Sequence, residues 1–102
     1  MSERKVFHKL DLRITDEMRK KLLSLADTSC WRVAGLYATW IVNSQKSAPN
    51  REPVVADGFK SRLRVTIGEK GMARFKKWSA KYNVSLASVV RAAISEHLNG
   101  NS

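Results

Sequence analysis

Nowhere in this sequence do eighteen apolar residues follow one another, so it offers no transmembrane helix. A single cysteine, Cys30, excludes an intramolecular disulfide and a zinc-type cysteine pair, and a reducing cytoplasm is the expected compartment. Cys30 otherwise reads as a small, semi-apolar residue. The opening Met-Ser-Glu-Arg-Lys has no apolar run behind it, so a soluble, unprocessed intracellular chain is expected. Histidine is scarce as well: His8 and His97 lie far apart, no glycine-rich phosphate loop is present, and no metal-spaced cluster appears. An enzyme is therefore not expected, nor is a cofactor or a metal. Acidic residues are few, nine against nineteen Lys plus Arg, which leaves a net charge of +10 and a pI near 10.3. That balance points to a polyanionic partner, nucleic acid or an acidic membrane surface. With 102 residues there is room for one compact domain, or for two half-sized units that share a core.

What is present is a repeated plan. Arg62-Leu63-Arg64-Val65-Thr66-Ile67 alternates strictly between basic or hydroxylic and apolar residues, the pattern of a strand with two unlike faces. A second copy, Lys9-Leu10-Asp11-Leu12-Arg13-Ile14, lies 53 positions upstream. After the first strand, Thr15 or Asp16 can cap a helix with Met18, Leu22, Leu25 and Ala26 on its apolar stripe. Asp27-Thr28-Ser29-Cys30 breaks that stripe, and a second helix follows with Val33, Leu36, Tyr37, Trp40 and Ile41 on one face. After the second strand, Glu69 opens a helix bearing Met72, Phe75, Trp78 and Tyr82, Asn83 can end it in the left-handed conformation, and Ser85 can cap the next. That last helix shows Leu86, Val89, Val90, Ala93 and Ile94. Ten apolar positions in the three elements agree at the 53-residue offset, whereas Met18 and Met72 do not.

The chain divides accordingly into a basic arm (1–8), a first unit (9–43), a linker rich in Ser, Gln, Asn and Pro (44–61), a second unit (62–98) and a tail (99–102). One strand and two helices cannot bury their apolar faces alone, but two such units can do so together. The expected fold is α+β and mostly α: two β-α-α units sharing a two-stranded antiparallel ribbon and a four-helix core. The helices cover the apolar side of a ribbon that would be marginal without them. Trp40 and Trp78 fall on apolar stripes and are expected in the core. Trp31, off the stripe, is either a partner contact or a turn residue. Lys70, Arg74, Lys76, Lys77 and Lys81 read as a solvated helix face.

The pattern resembles the ribbon-helix-helix family of DNA-binding proteins. The second unit is the closer match, through Arg-Leu-Arg-Val-Thr-Ile, then Phe75, Trp78, Asn83, Ser85 and the run from Val89 to Ile94. The first unit departs from it, with Arg32 at the position of the cap serine, Cys30 where a glycine or asparagine is expected, and Asp11 on the outward face. A tandem single chain of this kind is similar to the TraY-like proteins, and that resemblance implies a part in the relaxosome, the nicking complex at a plasmid transfer origin.

The implied function is sequence-specific binding of double-stranded DNA through the ribbon in the major groove, whose base edges carry distinguishable donor and acceptor patterns. Lys9, Asp11, Arg13, Arg62, Arg64 and Thr66 are the candidate base-reading residues. Arg13, Arg62 and Arg64 suit guanine, and Thr66 suits a thymine methyl or a polar edge. Asp11 either accepts from cytosine N4 or pairs with an Arg across the ribbon. Ser85 at a helix N-terminus, Arg32, and Arg4 and Lys5 in the arm are candidate phosphate contacts. Because the strands differ, an asymmetric site is expected. Within this reading the chain is expected to be an accessory protein of conjugation that binds and can bend a transfer origin, and recruits a relaxase. The alternatives are a transcriptional repressor or autoregulator of the same fold, and a basic protein-interaction adaptor or membrane-surface binder. The last requires an amphipathic helix with little buried stripe. The units can share their ribbon within one chain as an internal pseudo-dimer, or be exchanged between two chains as a swapped dimer.

Overall fold

A computed structural model describes residues 7–49 and 60–100. The elements run β1 (Phe7–Ile14), α1 (Asp16–Leu25), α2 (Trp31–Ser44), β2 (Ser61–Gly68), α3 (Glu69–Tyr82) and α4 (Leu86–Gly100). The fold is α+β and mostly helical, with β1 and β2 forming a two-stranded antiparallel sheet.

The register sets Lys9 opposite Thr66, Asp11 opposite Arg64, Leu12 opposite Leu63, and Arg13 opposite Arg62. Alternation divides the two faces as the pattern predicts. Leu12, Ile14, Leu63, Val65 and Ile67 are all buried, while Lys9, Asp11, Arg13, Arg62 and Arg64 are exposed. Beneath the apolar face lie Leu22, Ile41, Val42, Phe75, Val90 and Ile94, each fully or almost fully buried. Strands of eight residues could not hold this arrangement unaided, and the helices supply the cover.

Local signals account for the helix ends. Thr15 is the N-cap of α1, its Oγ1 accepting from the Met18 amide at 3.1 Å. Asn83 ends α3 in the left-handed conformation (φ 55°, ψ 47°), and the Val84 amide reaches back to the Ser79 carbonyl. The first unit uses the same stop earlier. Asp27, at φ 52°, is its left-handed residue, and the Thr28 amide donates to the Leu23 carbonyl. The expected position for that residue, Cys30, is instead the extended residue just before α2, with no side-chain cap bond. The first helix is thus a turn shorter than α3, and α2 starts earlier than the offset predicts.

The face that α2 presents to the core also differs from expectation. Val33, Leu36 and Trp40 are exposed (42%, 65% and 55%), Tyr37 is half-buried, and of the predicted stripe only Ile41 is fully inside. The buried side is Ala34, Ala38, Ile41 and Val42. Small residues let α2 approach closely, and the rotation aims Thr39 and Asn43 at the backbone of β2. Trp40 is therefore not a core residue; it stacks on Tyr37 with ring centres 5.7 Å apart and meets the His97 ring edge-on. The second unit keeps its predicted face, with Val89, Val90, Ala93 and Ile94 buried and Leu86 packed against the core. In α3, Met72 and Phe75 are buried. Trp78 is half-buried and packs edge-on to Phe75, and the Tyr82 ring is 43% exposed with its hydroxyl donating to the Pro49 carbonyl. Most of the linker and the arm residues Arg4 and Lys5 lie outside the described residues.

Candidate nucleic-acid interface

Five of the six residues expected to read bases stand exposed on one face of the ribbon, and the sixth, Thr66, is half-buried at its margin. Register and alternation bring them together: in successive outward rows, Lys9 faces Thr66, Asp11 faces Arg64, and Arg13 faces Arg62. The face holds four cations and one carboxylate.

Asp11 and Arg64 form an ion pair. Arg64 Nε donates to Asp11 Oδ1 at 3.0 Å, with side-chain exposures of 65% for Arg64 and 58% for Asp11. Of the two roles open to Asp11, the cross-ribbon partner is the one it takes in the free protein. That hydrogen bond holds the Asp11 carboxyl below the usual aspartate value, opposed by desolvation and helped by the charges of Arg64 and then Arg62. The same bond pushes the Arg64 guanidinium up. Arg13 and Arg62 have no such hydrogen-bonded partner, although the Arg62 charge is near enough to Asp11 to be attracted by it. They are directly opposed like charges, a destabilising cross-strand pairing, and neither has a salt bridge among the described residues.

The outer edge of β2 is closed by α2. Every fourth residue of the helix meets a strand backbone group. Trp31 Nε1 donates to the Arg62 carbonyl at 3.0 Å. Gly35 lies where an added Cβ would sit 3.6 Å from the Arg64 carbonyl oxygen. Thr39 Oγ1 accepts from the Thr66 amide at 3.2 Å. Asn43 Nδ2 donates to the Thr66 carbonyl at 2.8 Å, and its Oδ1 accepts from the Gly68 amide at 2.9 Å. An unpaired strand edge invites pairing with another chain, and this stripe removes that opening on β2. It also fixes the backbone from which Arg62, Arg64 and Thr66 project.

Trp31 is thus neither a turn residue nor a free contact. Its ring is half-buried, and the Arg19 guanidinium lies 5.2 Å from its centre. Arg74, read from the sequence as part of a solvated face, is half-buried and donates to the carbonyls of Gln45 (3.1 Å) and Asn43 (3.3 Å), closing the C-terminal end of α2. Thr39, Asn43 and Arg74 were missed as structural supports of the face. The available signal was the four-residue spacing of Trp31, Gly35, Thr39 and Asn43, with two polar members in an otherwise apolar helix.

Of the phosphate candidates, Ser85 caps α4, its Oγ accepting from the Ser88 amide at 3.1 Å, and it is exposed. Arg32 is exposed in the first turn of α2, next to the Trp31 that grips β2. Arg4 and Lys5 lie outside the described residues. Among the described residues no group of three or more His, Cys, Asp or Glu could hold a metal ion, and no helix is long and apolar enough to cross a membrane. No family model, characterised protein or solved structure matches the chain.

Proposed function

We propose that the chain is a tandem ribbon-helix-helix protein that binds double-stranded DNA sequence-specifically, laying the outward face of β1 and β2 in the major groove. The observation that carries the reading is the opposed and exposed Arg13 and Arg62, neither in a salt bridge among the described residues, on a ribbon whose other face is sealed. Such a pair works against the free fold, and guanine acceptors or phosphates would turn the repulsion into binding. Two strands about 5 Å apart, with their side chains, suit a groove about 12 Å wide. In this role Arg13, Arg62 and Arg64 take guanine O6 and N7, Lys9 adds a donor, and Thr66 reads a thymine methyl or a polar edge. The capped start of α4 at Ser85, with Arg32, Arg4 and Lys5, would hold the backbone phosphates. The likeness of the tandem plan to TraY-like proteins extends the reading to an accessory role at a plasmid transfer origin, with a relaxase as partner.

Selection from random duplexes at near-physiological salt tests this, followed by titration of the enriched and a scrambled sequence at two salt concentrations. A short asymmetric site preferred about a thousandfold or more is expected. Arg64→Ala should weaken binding to it on the order of ten- to hundredfold and relax the base preference at one position. Binding that enriches nothing and only collapses as salt rises would refute the reading. A site beside a nicking origin supports the conjugative role, and a site within a promoter would replace it with a repressor.

A further inference from the structure

Asp11 is a costly residue on a surface meant for DNA. It repels phosphates and most base acceptors, and it occupies the middle of the reading face. Its position is specific, because residues 11 and 64 are at once direct cross-strand partners and counterparts at the 53-residue offset. They therefore lie on the axis that relates the two units, over the centre of any site the ribbon covers. A guanidinium carries five N–H donors in one plane, on a side chain with several free torsions. Asp11 takes the Nε donor, and Arg64 makes no other side-chain hydrogen bond among the described residues. One anchored edge restrains the whole plane, and the Nη donors stay available.

Resting on the ribbon reading above, we propose that Asp11 is a positioning residue for base recognition. It holds Arg64 as a pre-set fork for O6 and N7 of one guanine at the centre of the site, in place of a mobile cation that would settle on a phosphate. Specificity rises while total attraction to DNA falls. The Asp11 oxygen not bound to Arg64 is left to accept from cytosine N4, the one major-groove donor of a G·C pair. A purely structural role accounts poorly for the pair, because ion pairs this exposed contribute little to a fold.

The test compares the wild-type chain with Asp11→Ala, Asp11→Asn and Arg64→Ala. Each is put through selection and then titrated against the selected and a scrambled duplex at two salt concentrations, with thermal melting as a check on folding. Both Asp11 variants lose one negative charge, so both should bind the scrambled duplex more tightly and by similar factors. They should part on base preference. Asp11→Ala should lose about two- to fivefold in discrimination for the central guanine, the most that so exposed a pair can supply, and less than Arg64→Ala. Asp11→Asn, whose amide oxygen can still accept from Nε, should keep most of it. An Asp11→Ala protein with wild-type preference for that base would overturn the inference and leave the ribbon reading standing. So would an Asn variant that loses as much as the Ala variant, since charge and not the hydrogen bond would then be responsible. If the wild-type chain enriches no sequence, the ribbon reading falls, and this inference with it.

Discussion

Asn43→Ala is the perturbation that most directly tests how the outward face of the ribbon is supported. The Asn43 side chain makes three hydrogen bonds: Nδ2 to the carbonyls of Thr39 and Thr66, both at 2.8 Å, and Oδ1 from the Gly68 amide at 2.9 Å. Truncation leaves the Thr66 carbonyl and the Gly68 amide without their side-chain partner in a half-buried seam. At about 1 to 1.5 kcal/mol for each of the two strand bonds, the loss is about 2 to 3 kcal/mol. Alanine returns about 0.6 kcal/mol in helix propensity, so the net expectation is about 1.5 to 2.5 kcal/mol. For a domain of this size that is a fall of about 10 °C in the melting temperature. Urea denaturation followed by far-UV circular dichroism should show a lower midpoint at an unchanged slope. Asn43→Asp is the control. It keeps an acceptor for Gly68 but turns a carboxylate oxygen toward two carbonyls, and should destabilise at least as much. An alanine variant within about 0.5 kcal/mol of wild type would refute the reasoning, because solvent would then be serving the strand edge as well as α2 does.

Two glycines should respond with opposite signs. Gly35→Ala places its Cβ at ordinary contact distance, 3.6 Å from the Arg64 carbonyl oxygen, and should stabilise by about 0.5 to 1 kcal/mol through helix propensity. Gly71→Ala meets Ile67 Cγ2 at 3.1 Å and Asn43 Oδ1 at 3.4 Å, one fully buried and the other held by three hydrogen bonds; it should destabilise, and equal midpoints in urea would contradict both assignments. Arg74→Ala removes two charge-assisted bonds to the end of α2 and should cost about 1 to 2 kcal/mol in the same assay, whereas a solvated helix face would show no change. The Asp11 carboxyl, followed by carbon NMR, should titrate below the ordinary aspartate value, and Arg64→Ala should raise it. Because the folded-state value is depressed, whatever the pair adds to stability is present above the ordinary value and lost as pH falls through the lower one.

The division of the ribbon into a sealed and an open face was legible because a strand's period of two leaves no choice once one face is apolar. Helix ends with a strong local cause were legible too: Thr15 caps as expected, Asn83 takes the left-handed conformation, and Ser85 accepts from the Ser88 amide. The rotation of α2 was not. Hydrophobic periodicity weighs Leu36 and Trp40 heavily and Ala34, Ala38 and Thr39 hardly at all. Which face turns inward was decided by what the strand edge needed and by how closely small residues let the helix approach. That competition is tertiary, since the partners of Thr39 and Asn43 are backbone groups more than twenty positions away. Arg74 was misplaced for the same reason: its partners are the last carbonyls of a helix that its own unit does not contain.

The placement of opposite charges at residues 11 and 64 follows from joining two unlike units in one ribbon. In a ribbon made from two copies of one strand, the residue on the axis faces itself, and a charge there repels its own copy. Here that position can hold a carboxylate on one strand and a guanidinium on the other. Pairing β1 with a second β1 would set Asp11 against Asp11, and pairing β2 with β2 would set Arg64 against Arg64, so the sign pattern favours the mixed ribbon over either uniform one. It does not distinguish a ribbon closed within one chain from one exchanged between two, because both keep Asp11 beside Arg64. Mass in solution makes that distinction. Sedimentation at micromolar concentration should return a monomer if the units of one chain pair with each other, and a dimeric mass would mean that the two strands of the ribbon come from different chains. In either arrangement the face is unlike itself on its two sides, so a palindromic site would count against the ribbon lying in the groove with both strands engaged.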